Sequence, residues 1–193
     1  MIIAISTSSP WTSVALVDES GVVLAANREF APVNASAAAL KILDALIEQS
    51  GLTLSSATGF VADVGPGSFT GVKVAVVLAK TLGFTQKVKV AGVSSFDLID
   101  SMRTTAVPCK KGQIFLKEPG QEACILSTLP LEGVAGYLPS GVEPTAGFEE
   151  QFPDASNVAR IIGTLKFVSP YELTPDYRVE PSISIPKKPL IRA

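Results

Sequence analysis

The tightest constraint in this sequence is a glycine-rich break, Gly65-Pro66-Gly67, set between two apolar segments. The run from Gly59 to Val64 reads as a buried strand, and the break stops it abruptly. Pro66 restricts its own φ, and Gly67 is expected to take the positive φ that a type II turn requires. Ser68 or Thr70 then caps a helix whose first turn contains Gly71. Strand, turn and helix follow so closely that the helix N-terminus is expected at the edge of the sheet, a place for phosphate or backbone contact.

The helix after the break is unusual. From Val72 to Leu82 only Lys73, Lys80 and Thr81 are polar, so apolar residues run nearly all the way round. Such a helix is buried on more than one side. Its own sheet supplies one side, and a second helix, a second lobe or another protein supplies the other. The plainer alternative is a central core helix wrapped by its own chain. Lys73 and Lys80 lie two turns apart on nearly one stripe. They either meet acids on a partner or extend their ammonium groups to solvent, and the second is favoured.

In chain order, Ile2 to Ser6, Thr12 to Val17 and Val22 to Phe30 read as a three-stranded meander, with Asp18-Glu19-Ser20-Gly21 as one of its turns. Asn34 or Ser36 starts a helix that runs to Ser50 and closes at Gly51. Leu40, Leu43 and Ile47 share a face of it. A strand over Val88 to Val93 follows the glycine-break helix, and Ser94 or Ser95 caps a third helix to about Met102. The order is βββαβαβα. Eleven of the fourteen prolines come after residue 103, which predicts a regular first lobe (1–103) and a smaller, looser second lobe (104–193). In that second part, Thr105 to Pro108 and Gln113 to Lys117 pair as a hairpin around Lys110-Lys111-Gly112. Ala123 to Leu129 reads as a strand, Ala155 to Leu165 as a short amphipathic helix, and the chain from Pro170 as an extended tail crossing the surface or the first lobe.

Composition excludes several chemistries. The 193 residues include no histidine, so Ser-His-Asp and Cys-His catalysis and histidine-bound zinc or iron are ruled out. The only cysteines, Cys109 and Cys124, have no metal-ligand spacing and form no disulfide framework. A net charge of −2 gives no global attraction to nucleic acid or acidic membranes. No uncharged apolar run reaches membrane-spanning length, and Met1 to Ile5 lacks the basic start of a signal peptide, so a cytoplasmic location is expected.

Gly65, Gly67, Ser68, Thr70 and Gly71 read either as a phosphate-contacting loop or as a structural turn. The Gly-Lys-Ser/Thr ending of a P-loop is missing, which favours structure. Ser68 has the wrong spacing for a nucleophile elbow and reads as a cap. Asp18, Asp63 and Asp97 are the acids nearest to element ends. Asp63, inside an apolar strand, either faces a cleft or is a hydrogen-bonded structural acid. Cys109 beside Lys110 reads as a reactive thiol or as a plain half-buried one. The pairs Lys110-Lys111 and Lys187-Lys188 are too small to make a basic face for nucleic acid.

A meander followed by αβαβα resembles half of the actin/sugar-kinase/Hsp70 (ASKHA) superfold, an actin-like, ribonuclease-H-like α/β fold. Gly65-Pro66-Gly67-Ser68-Phe69-Thr70-Gly71-Val72-Lys73, with Val90-Ala91-Gly92-Val93-Ser94-Ser95-Phe96 after it, resembles the bacterial TsaB (YeaZ) family. Ile5-Ser6-Thr7-Ser8 and Thr174-Pro175-Asp176-Tyr177-Arg178 also match family positions. Three departures stand out. Ser6 occupies a position that is usually acidic, Pro108-Cys109-Lys110 replaces Asp-Ala-Arg, and Lys73 replaces an arginine, keeping the charge without the bidentate fork.

The resemblance implies a non-catalytic subunit of the machinery that makes threonylcarbamoyl-adenosine (t6A) in tRNA. It implies binding to a TsaD-like catalytic subunit, work alongside a TsaE-like ATPase, and a homodimer through the same helices when the chain is alone. The implied interface residues are Leu40, Leu43, Ile47, Val72, Lys73, Val76, Ala79 and Lys80. No catalytic or metal-binding residue is expected, nor strong direct tRNA binding or membrane attachment. ATP or ADP is expected only at an interface with a partner. The alternative is a stand-alone ATPase or small-molecule kinase of the same superfold, against which Ser6 counts because magnesium needs a carboxylate near the phosphates. A peptidase is the least supported reading.

Overall fold

A computed structural model describes residues 1–110 and 112–178. Lys111, Lys187, Lys188 and the prolines from Pro181 onward, which figured in the basic pairs and the tail, lie outside the described residues.

The first sheet contains β1 (Ile2–Ser6), β2 (Trp11–Val17), β3 (Val23–Phe30), β4 (Gly59–Gly65) and β5 (Lys89–Ser94) in the order β3-β2-β1-β4-β5. β1, β2 and β3 are antiparallel, whereas β4 and β5 continue from β1 in parallel. All five residues of β1 are buried, because both faces of the sheet are covered. Parallel strands covered on two sides carry continuous apolar runs for this reason.

On one face, Ile3, Ile5, Val14, Leu16, Phe60 and Ala62 pack against α1 (Ala35–Ser50) and α2 (Phe69–Gln86). On the other, Ile2, Ala4, Ala15, Val17, Val61 and Ala91 meet Leu98 of α3 (Ser95–Asp100) together with Ala155 and Val158. The helix ends follow local chemistry. Gly51 closes α1 in the left-handed region at φ +66°, and its N–H donates to the Glu48 carbonyl. Ser68 caps α2 by accepting from the Gly71 N–H at 3.3 Å, and Ser94 caps α3 by accepting from the Phe96 N–H. Asn34 precedes α1 at φ +67° without a side-chain cap bond.

The second sheet has the order β10-β9-β6-β7-β8, from β6 (Thr105–Pro108), β7 (Ile114–Lys117), β8 (Cys124–Leu126), β9 (Ala135–Gly136) and β10 (Glu149–Glu150). β6 and β7 form the expected hairpin. β9 and β10 have two residues each, too few for any periodicity, and sequence reading missed them. The amphipathic stretch from Ala155 is not one helix. A 3-10 turn at Ala155–Asn157, the single turn α4 (Val158–Ile161) and a 3-10 turn at Ile162–Thr164 divide it.

The following chain returns along the edge of the first sheet. Phe167 lies under Gly59, where an added Cβ would come within 2.6 Å of its ring. Val90 and Val168 exchange backbone hydrogen bonds of 3.0 and 2.8 Å. Leu173 is buried beside α2, and the Asp176 N–H donates to the Val64 carbonyl at 2.9 Å. The segment up to Arg178 therefore crosses the first sheet and its helices and ends beside the glycine break.

Candidate functional site: the glycine turn and the outer face of its helix

The turn departs from the expected type II geometry. Positive φ falls on Gly65 (+98°), not on Gly67, and the Gly65–Pro66 peptide is cis. Gly67 is needed for a different reason: a Cβ there would stand 2.5 Å from the Ser8 carbonyl oxygen. At Gly71 the clash would be worse, 1.8 Å from the Thr7 carbonyl oxygen. Both glycines let the start of α2 lie directly on the backbone of the β1–β2 turn.

Polar bonds complete that seam. The Ser68 N–H donates to the Ser8 carbonyl at 2.7 Å, and the Thr7 hydroxyl donates to the Gly71 carbonyl at 2.6 Å. The Val72 N–H donates to the Ser68 carbonyl, and the Gly71 N–H to the Ser68 hydroxyl. The amides of Ser68, Gly71 and Val72 thus already have protein acceptors. Thr70 is exposed.

Asp63 is the charged residue at the heart of the turn, and it is completely buried. Its Oδ2 accepts from the hydroxyls of Ser6 (2.7 Å) and Ser8. Its Oδ1 accepts from the Ser95 hydroxyl (2.6 Å) and the Gly65 N–H (2.9 Å). Four donors use the four acceptor directions of a carboxylate. Burial pushes its pKa above the ordinary carboxylate value, and the Ser8, Ser95, Ser6 and Gly65 bonds oppose that rise. Of the two readings open for Asp63, the structure supports the hydrogen-bonded one. Ser6, at the position where resemblance implies an acid, therefore has a carboxylate one hydrogen bond away on the adjacent strand. Tyr137 of the second sheet approaches the same place, its hydroxyl 3.4 Å from the Ser8 carbonyl. Its pKa is raised by burial first and by the Asp63 charge second.

Beside the turn, a cleft of about 840 Å³ separates the first sheet's loops from the second sheet. Pro66, Gly67, Phe69, Cys109, Tyr137 and Tyr177 are among the residues that line it. Burial pushes the Cys109 thiol up, with Lys110 opposing, so this cysteine is not activated. The Phe69 and Tyr177 rings lie 4.9 Å apart, and the Lys73 ammonium sits 4.0 Å over Phe69. Asp18 is a turn acid bonded to Ser20 and Val22, and Asp97 pairs with Lys117 at 3.4 Å. Among the described residues no group of three Cys, Asp or Glu is placed to hold a metal.

α2 is covered by its own chain on one side and open to solvent on the other. Gly71, Ala75, Ala79 and Gly83 recur every fourth residue and, with Val72 and Val76, press it against the sheet. Leu43, Val72, Val76 and Ala79, expected at an interface, belong to this chain's own core. Ile47 is half-buried against the same core. Lys80 bends back, its ammonium donating to the Leu173 carbonyl at 2.9 Å. Of the expected interface residues only Leu40 and Lys73 are exposed. The open face of α2 is instead Phe69, Lys73, Val77, Thr81 and Phe84, with Val77 58% and Phe84 60% exposed. Sequence reading missed Val77, although the four-residue spacing of glycine and alanine marks the opposite face as the buried one.

A family model described as TsaD: tRNA N6-adenosine threonylcarbamoyltransferase matches residues 29–108. The Bacillus subtilis tRNA threonylcarbamoyladenosine biosynthesis protein TsaB is 28% identical over 121 residues, covering 59% of this chain and 52% of that protein. The chain is similar in sequence to a TsaB protein and in fold to YeaZ. It spans about half the length of the TsaB it matches. Two solved Pseudomonas aeruginosa structures share the fold over 91% of this chain and 98% of each of theirs. One is an uncharacterized protein with similarity to peptidase YeaZ (TM-score 0.77, 20% identity), and the other is YeaZ (TM-score 0.72, 18% identity). The fold is the actin-like, ribonuclease-H-like one of YeaZ. Among the described residues no helix is long and apolar enough to cross a membrane.

Proposed function

We propose that this chain works in tRNA threonylcarbamoyladenosine biosynthesis as a non-catalytic subunit that binds and organises a TsaD-like partner through the outer face of α2. The supporting observation is Val77. It lies at the middle of an 18-residue helix and stays open to solvent while its neighbours Ala75, Val76 and Ala79 are buried. Lys73 and Thr81 flank it on the same face of α2, so an exposed apolar side chain has polar neighbours one turn to either side. Self-association of the free chain through this face, a TsaE-like ATPase joining the assembly and ATP or ADP held at the joint surface belong to the same reading. Against independent nucleotide chemistry stands Asp63, whose enclosed carboxylate has all four acceptor directions filled.

Titrating the purified chain with a TsaD-like protein tests the surface. Val77→Glu is expected to weaken association by about tenfold or more, since it buries a charge at the centre of the contact. Equal affinity in the native chain and the variant would remove this face from the proposal. Val76 and Ala79 are unsuited to the purpose, because glutamate at either would disrupt the fold.

A further inference from the structure

The partner-facing helix and the second sheet meet at one buried group. The first arm of the connection runs from α2. The Ser68 N–H, at the cap of α2, donates to the Ser8 carbonyl, and the Ser8 hydroxyl donates to Asp63. The second arm runs from α3. The Ser95 hydroxyl donates to Asp63 and lies 3.1 Å from the Ser8 hydroxyl. Phe96 and Ile99, which follow Ser95, are packed into the second sheet's core with Val107, Phe115 and Tyr137. The third arm is the turn itself, through the Gly65 N–H.

We propose that Asp63 is a positioning residue that clamps the start of α2 to the element carrying the second sheet, so that a change at α3 is transmitted to the helix cap at Ser68. Its significance for partner binding rests on the function proposed above, but the clamp stands or falls independently of it. Three physical points support the assignment. The carboxyl group is wholly enclosed, and among the described residues no lysine or arginine forms an ion pair with it, so the hydroxyls and one amide are its entire solvation. Its donors come from parts of the chain 57, 55 and 32 residues distant, so no local segment can replace them. A donor left without its acceptor in such a site costs its full desolvation, which makes the arrangement close to all-or-none.

Ser6 makes the clamp testable by relocation. Ile5 pairs with Ala62 in the parallel register, so Ser6 and Asp63 are neighbours on adjoining strands and differ only in which of them carries the carboxylate. Asp63→Ser leaves the hydroxyls of Ser8 and Ser95 and the Gly65 amide short of an acceptor, whereas Ser6→Asp with Asp63→Ser returns a carboxylate to the same space. The readout is amide hydrogen exchange of the full chain at Ser68 and Val72, compared with Ile3 and Ala15 in the sheet interior. Asp63→Ser is expected to accelerate exchange at Ser68 and Val72 by about tenfold more than at the sheet amides, and the relocated pair to return it to within about threefold of native. Ser95→Ala, on the α3 side, is expected to accelerate Ser68 by about threefold or more.

Uniform acceleration across the sheet, or a Ser68 amide unchanged by Ser95→Ala, overturns the proposal. So does a relocated pair that exchanges like Asp63→Ser. Should Asp63→Ser fail to fold, a folded relocated pair with native exchange at Ser68 supports the clamp, and an unfolded pair refutes it. Loss of partner binding by Val77→Glu has no bearing on any of these outcomes, so the two proposals fail separately.

Discussion

Ser6 and Asp63 lie side by side on β1 and β4, and the Ser6 hydroxyl donates to the Asp63 carboxyl at 2.7 Å with both side chains fully buried. A carboxyl group in that position has lost its hydration and regained four bonds. The balance remains on the side of a raised pKa, with burial as the larger cause.

The sign of the resulting pH dependence follows directly. The folded-state pKa lies above the unfolded one, so the contribution of Asp63 to stability is fully present below the unfolded pKa, near 3.8, and is lost as pH rises through the folded value. Relative to Asp63→Asn, which cannot ionise, the native chain should lose stability as pH increases above the ordinary carboxylate range. Urea midpoints of the two proteins measured from about pH 4 to about pH 8 test this. A native advantage that grows with pH would show that the hydrogen bonds, not burial, dominate.

The seam between the glycine turn and the β1–β2 turn has no room for a methyl group. Gly71→Ala should destabilise the chain by about 3 kcal/mol, at the upper end of overpacking costs. Gly163→Ala is the control, since nothing lies within 4 Å of the added carbon, and should change stability by less than about 0.5 kcal/mol. Equal denaturation midpoints for the two variants would contradict the close approach.

Two adjacent valines on α2 should behave as opposites. Val76 is 2% exposed and Val77 58% exposed. Glutamate at 76 forces a charge into the core and should cost about 3 kcal/mol or more, whereas at 77 it should cost less than about 0.5 kcal/mol. Thermal melts of the two proteins, monitored by circular dichroism, distinguish them. Similar losses would mean that α2 is buried on both sides after all.

Thr12 is buried on β2, and its hydroxyl has no hydrogen-bond partner among the described residues. Thr12→Val removes the unpaired group at nearly constant shape and should raise stability by about 1 kcal/mol. A chemical denaturation series would reveal it, and a loss of stability would mean that the hydroxyl is satisfied in solution.

Much of the first sheet was legible because its signals are local. Apolar runs, Gly51 after α1 and Ser68 before α2 declare themselves within a few residues, as does the β6–β7 hairpin around its turn. The buried acid was visible as an oddity, a single aspartate inside Gly59 to Val64. Its partners Ser8 and Ser95 were not, because small polar residues at long separations carry no pattern until the chain brings them together. The same holds for β9 and β10, which exist only through pairing, β9 with β6 and β10 with β9, and for Lys80, whose acceptor lies 93 residues away.

Local periodicity and turn chemistry determined which segments would be strands and helices, and their order sufficed to recognise the fold. The tertiary structure alone decided which side of α2 is covered and what surrounds Asp63. Composition records how apolar a helix is, but its free face depends on where the sheet, the Phe167–Leu173 return and the β1–β2 turn are placed against it. The physical reason is that burial and hydrogen-bond satisfaction belong to contacts between distant segments, and no short window of sequence contains both halves of such a contact.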